Sequence, residues 1–154
     1  MMPSRVISDE RGMALAVALF ALVLMGALVT GTFFAGLVEQ QSGRNAFFAA
    51  QAAEAAEGGI NDALSTATPG TLGQMAIGQS AAFPDLQLGT GVSSTRAISR
   101  LTGSLFLIRA TGTRRDAAGT PLALRTLGLL VRLSPGEGSA AVAPLLERSW
   151  LQLY

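Results

Sequence analysis

The chain has no cysteine and no histidine among its 154 residues. No disulfide framework can form, and neither thiolate nor imidazole chemistry is open to it. Export is not excluded by this; an exported part would be held together by packing alone. Lysine is also absent, so all eleven basic residues are arginine. Charged residues make up only 14% of the chain, with a formal net charge of +1. That near-balance implies no strong electrostatic partner. The scarcity of charge is uneven. Residues 13–38, MALAVALFALVLMGALVTGTFFAGLV, are 26 in number and carry none.

As a helix rising ~1.5 Å per residue, this segment measures about 39 Å. A hydrocarbon core of ~30 Å is spanned by that length with some tilt. A cleaved secretory signal has a shorter apolar core and ends in a small-residue cleavage site. Phe33-Phe34-Ala35-Gly36-Leu37-Val38 makes a poor site of that kind. A plain signal anchor is the simpler reading. Arg5 and Arg11 precede the span and Arg44 follows it, which favours an inside N-terminus.

The continuation, residues 39–64, is rich in alanine and good helix formers. Phe48, Ala52, Ala56, Ile60 and Ala63 recur at spacings of three and four, one stripe of an amphipathic helix. Gln51, Glu54, Glu57 and Asn61 fall mostly off the stripe. Gly43 and the Gly58-Gly59 pair weaken helix locally, and Thr68-Pro69-Gly70 ends it. One helix over residues 13–64 would be ~78 Å long, half in lipid and half outside.

Residues 71–90 read as a connecting loop with short irregular structure. Gly89-Thr90-Gly91 reads as a turn, since a phosphate loop needs a preceding strand and a following helix. Three strand-like runs follow, at residues 92–101, 104–111 and 122–133. The last two are joined by a polar hairpin connection over residues 112–121. Phe106 and Ile108 share one face of their strand; Leu105 and Leu107 share the other. Arg109, Arg125 and Arg132 interrupt the apolar runs, as in a sheet with one covered and one wetter face. The amphipathic half of the helix is the expected cover. Ser134-Pro135-Gly136-Glu137-Gly138 reads as a turn. In the tail, Trp150, Leu151 and Tyr154 are expected to close the core, with a docking surface for another subunit as the alternative. The expected fold class is therefore α+β, a long N-terminal α-helix packed on a small antiparallel β-sheet.

Little here points to chemistry. Glu54 and Glu57 stand at i and i+3, a spacing open to acid–base work, but no further catalytic group accompanies them. They read as a solvated helix face. From Ser65 onward eight arginines face four acidic residues. Arg114 and Arg115 lie within a hairpin, without interleaved aromatics or a nucleic-acid motif. No enzyme activity, cofactor, metal, small-molecule substrate or specific nucleic acid is expected. Gly26, Gly31 and Gly36 lie five apart and do not share a helix face, whereas Ala14 with Ala18, and Gly31 with Ala35, do.

The edges of the apolar segment carry a resemblance. Ser8-Asp9-Glu10-Arg11-Gly12 followed by Met13 resembles a type IV prepilin leader, a short hydrophilic stretch ending in Arg-Gly before an unbroken apolar helix. RGMALAVALFALVLM and AFFAAQAAEAAEGGINDAL (residues 11–25 and 46–64) are similar to the N-terminal region of PilX-type minor pilins, with Gln51-Ala52-Ala53-Glu54-Ala55 the most specific part. The resemblance implies a leader over residues 1–12, a membrane half over 13–38, an exposed helical half over 39–66 and a β-rich domain over 67–154. It implies peptidase cleavage between Gly12 and Met13 on the cytoplasmic side, with methylation of the new N-terminus. It makes Gly26 a candidate flexible point. The implied partners are other pilins, the prepilin peptidase, an assembly platform and the inner (cytoplasmic) membrane, with the C-terminal domain outside the cytoplasm. Major pilins carry a Glu at the fifth mature position; here that position is Val17. A subunit lacking the Glu fits a filament tip or an initiating complex better than a repeating position. The alternatives are a type II secretion minor pseudopilin and a single-pass anchor for a surface binding module.

Overall fold

In the computed structural model the described residues are 8–134, 141–145 and 150–153, with side chains described from Gly12 onward except at Ala141. Residues 1–7 of the leader, the turn read at residues 135–138, and Tyr154 lie outside them. The chain divides into two units, residues 1–43 and 44–154.

Helix α1 (Ser8–Thr66) contributes to both units. Six glycines after Gly12 do not interrupt it, because alanine and leucine around them hold the helix. It stops just before Pro69, as expected. Residues 71–90, however, are not a loop. Pro69 opens a second helix, α2 (Pro69–Gln74), where its fixed φ suits the first turn. Strand β1 (Ser80–Gly89) then begins the sheet. The alternation that marks a strand is hidden in β1. Only Phe83 and Leu86 are half-buried, and a bulge separates them, so they stand three apart instead of two. Pro84 falls at that irregularity on an edge strand, where proline is tolerated.

The three strand-like runs form β2 (Val92–Thr102), β3 (Leu105–Arg115) and β4 (Pro121–Ser134). β3 runs four residues further than its apolar stretch suggests, which shortens the hairpin connection to residues 116–120. The sheet is antiparallel in the order β1–β2–β3–β4. Two short strands, β5 (Ala141–Pro144) and β6 (Trp150–Leu153), both pair with β4. Pro144 stands opposite Val131 and Trp150 opposite Leu129, so β5 and β6 follow one line along β4.

Within residues 44–154, α1 covers one face of this sheet, as expected for an α+β fold. Ile98, Phe106, Ile108, Ala110, Leu129 and Val131 are buried beneath Ile60 and Ala63, with Leu72 and Met75 of the α2 region completing the cluster. Of the five stripe residues, Ala52, Ala56, Ile60 and Ala63 are buried and Phe48 is half-buried. The approach of helix to sheet is close. A Cβ on Gly59 would come within 2.9 Å of the Ser94 Cβ and 3.2 Å of the Ala110 Cβ. A Cβ on Gly112 would meet the Ala52 carbonyl and come within 2.5 Å of the Ala56 nitrogen.

Turn chemistry fixes the strand ends. Gly91 (φ +69°) and Gly103 (φ +50°) turn β1 into β2 and β2 into β3. Thus Gly89-Thr90-Gly91 belongs to a hairpin turn. In the β3–β4 connection, Asp116 Oδ1 accepts from the backbone N–H of Ala118 (3.0 Å) and of Thr120 (2.8 Å). Asp116→Ala is expected to cost about 1 kcal/mol, the net worth of such bonds. In thermal unfolding of the detergent-solubilised chain this reads as a Tm lowered by roughly 4 °C.

Candidate functional site

The segment with the plainest physical signature is residues 13–38. Among the described residues one helix, α1, is long and apolar enough to cross a membrane. In the unit 1–43 its side chains from Met13 onward are exposed all round, Ala21 alone being half-buried. Apolar side chains turned outward on every side of a helix are the pattern of a lipid-facing span.

Two hydroxyls within the segment are satisfied locally. Thr30 Oγ1 donates to the Gly26 carbonyl and Thr32 Oγ1 to the Val29 carbonyl, each at 2.8 Å. Serine and threonine commonly return such bonds to the preceding helical turn. In hydrocarbon this matters, because an unmade hydrogen bond there costs several kcal/mol. Gly26, the candidate flexible point, lies within unbroken helix and accepts the Thr30 bond. Gly12 and Met13 also lie in α1, and both are exposed. Nothing lies within 4 Å of where a Gly12 Cβ would stand, so packing does not require glycine there.

In the unit 44–154, Glu54 and Glu57 are exposed on α1. No group of three acidic residues that could hold a metal occurs among the described residues. Arg114 and Arg115 are fastened to the turns, not gathered into a patch. Arg114 Nη1 donates to the Thr90 carbonyl (2.6 Å) and Arg115 Nη1 to the Gly119 carbonyl (3.0 Å). The tail corrects the expectation that Trp150 and Leu151 close the core. They lie in β6 with 49% and 37% of their surface exposed. β6 is short and borders the sheet, and pairing with β4 holds it there without covering its side chains.

Sequence reasoning missed two arginines on the helix-covered face. Arg96 is 6% exposed; its Nη1 forms an ion pair with Asp62 Oδ2 of α1, and its Nη2 donates to the Pro84 carbonyl. Its guanidinium lies 5.6 Å from the Phe83 ring centroid. Arg100 Nε and Nη2 donate to the Gly103 carbonyl (2.9 and 2.7 Å), and Nη1 donates to the Met75 carbonyl. Arg100 thus ties the end of α2 to the β2–β3 turn. The only signal for Arg96 was its phase: it alternates with Ile98 on an apolar-facing row. Asp62, at the margin of the helical stripe, gave none.

With this geometry established, comparison with known proteins adds no relative: no family model, no curated protein and no solved structure matches the chain. The fold itself defines the class, a small α+β unit whose covering helix α1 also contains an apolar segment long enough to cross a membrane.

Proposed function

We propose that the chain is a pilin-like membrane subunit of the PilX minor-pilin type, acting in type IV pilus assembly. One observation carries the reading. The helix that supplies Ala52, Ile60 and Ala63 to the core under the sheet is the helix that exposes an uncharged segment over residues 13–38. A subunit built this way joins others by packing its apolar half into a helix bundle and its exterior part against theirs.

In this reading the subunit sits in the inner membrane as a single span with a cytoplasmic N-terminus. Prepilin peptidase cuts between Gly12 and Met13 and the new terminus is methylated. Val17 in place of an acidic residue leaves the subunit without an ion pair to a neighbour's terminal amine. That suits a position that starts or caps a filament at the cell surface.

Mass spectrometry of the chain from a host carrying the peptidase tests this. The expected product begins at methylated Met13, having lost 12 residues, whereas Gly12→Leu keeps all 154. If residues 1–12 remain on the unaltered chain, the pilin reading fails. A single-pass anchor for a surface module would then be the better account.

A further inference from the structure

We infer that the face of the sheet turned away from α1 holds a binding site for a small oxyanion, a carboxylate, sulfate or phosphate carried on a polar molecule. The pairing register builds it. Ala97, Arg109 and Gly128 stand directly opposite one another across β2, β3 and β4, and Ala82 of β1 faces Ala97. Arg109 is therefore flanked directly by alanine and glycine, which are too short to cover it, and Leu151 of β6 ends the row beyond Gly128. The adjacent row on the same face is Thr95, Thr111 and Thr126, again directly opposite one another. Side chains two residues apart on one strand face stand about 7 Å apart, so the guanidinium and the threonine row border one recess. The recess is an open depression of about 400 Å³ whose lining includes Thr95, Arg96, Arg109, Thr111, Thr126 and Leu153. That volume lies within the range of small-molecule sites, roughly 300–1,000 Å³.

The donor set points to an anion. Arg109 is exposed and has no hydrogen-bond or ion-pair partner among the described residues, and no carboxylate lines the depression. The other arginines within the sheet's centre, Arg96 and Arg100, are committed to carbonyls and an aspartate. Thr111 Oγ1 and Thr126 Oγ1 share a hydrogen bond of 2.9 Å. That bond uses one of the two hydroxyl protons and leaves the other to donate outward. Thr95 supplies a further hydroxyl. A planar guanidinium with two hydroxyl donors beside it matches the geometry of an oxyanion, which accepts paired bonds from arginine. This site is independent of residues 13–38 and of whether the leader is cleaved.

The test uses the full chain in neutral detergent and titration calorimetry with glucuronate, glucose 6-sulfate, glucose 6-phosphate and uncharged glucose. The anionic sugars are expected to bind with saturation, at least about tenfold tighter than glucose, as a charge-assisted bond requires. Their ranking tells carboxylate, sulfate and phosphate apart. Arg109→Gln is expected to weaken the best of them by roughly tenfold or more, with the melting curve unchanged because the side chain is exposed. Arg132→Gln removes an exposed arginine of the same face outside the depression and should leave affinity within about twofold. The inference is overturned if glucose binds as tightly as the anions, if Arg109→Gln binds like the unaltered chain, or if no probe binds at about 10 mM.

Discussion

Gly112→Ala is expected to destabilise the unit of residues 44–154 by about 3 kcal/mol, at the upper end of what overpacking a core costs. The size of the effect comes from what the added methyl meets. It points at the Ala52 carbonyl and the Ala56 nitrogen, the acceptor and donor of one turn of α1. Backbone in mid-helix has no rotamer to change, so relief requires the helix to lift from the sheet. Lifting it opens contacts of Ile60 and Ala63 with Phe106 and Ile108, which are buried in one cluster. Gly128→Ala on the neighbouring strand is the matched control. There the methyl would meet the Cδ1 atoms of Leu107 and Leu153, at 3.2 and 3.3 Å, and these are ends of side chains that can turn aside. Its cost should stay below about 1 kcal/mol. Hydrogen exchange of β2 and β3 amides in the solubilised chain checks both. Gly112→Ala should speed the slowest amides by about a hundredfold, and Gly128→Ala by less than tenfold. Equal acceleration in the two variants would mean that the helix does not hold Gly112 this closely.

The second large effect is an asymmetry between ion-pair partners. Asp62→Ala should cost about 3 kcal/mol, whereas Arg96→Met should cost less than about 1 kcal/mol. Arg96 is 6% exposed and Asp62 40%. Removing the aspartate leaves a cation enclosed beneath the helix, with only the Pro84 carbonyl and the Phe83 ring for company. Removing the arginine leaves a carboxylate that water can reach, and methionine fills the vacated space beside Phe83 with apolar atoms. The double variant Asp62→Ala with Arg96→Met should recover most of the lost stability, a coupling that a double-mutant cycle measures directly. Chemical denaturation of the four chains gives the numbers. If Arg96→Met proves as damaging as Asp62→Ala, the pair contributes through its own attraction and not through relief of a buried charge.

Both effects sit where local pattern reading reaches its limit. β2, β3 and β4 were legible because their inward residues alternate: Ile98, then Phe106, Ile108 and Ala110, then Leu129 and Val131. The buried side of α1 was legible because Ala52, Ala56, Ile60 and Ala63 keep helical spacing. β1 was not, because its bulge and Pro84 break the alternation and its outer border is solvated. α2 escaped notice because six residues with two glycines give no period; it shows itself only through buried Leu72. Gly58-Gly59 read as a local weakness of the helix. In the fold Gly59 is the point where α1 passes over Ser94, a matter of space that no single segment displays. The apolar span was fully legible, since composition alone specifies it. The Arg96–Asp62 pair and the row containing Arg109 depend on which strands lie side by side, and spacing along one chain does not encode that.

The line shared by β5 and β6 has a consequence for which border of the sheet stays open. Residues 126–129 of β4 pair with β6 and residues 131–134 with β5. Between them the Leu145 N–H donates to the Leu130 carbonyl (3.2 Å). The outer side of β4 is therefore occupied from Thr126 to Ser134 by the chain's own backbone. An unpaired strand border is a template on which another chain can add a strand. Over this stretch of β4 that template is already used.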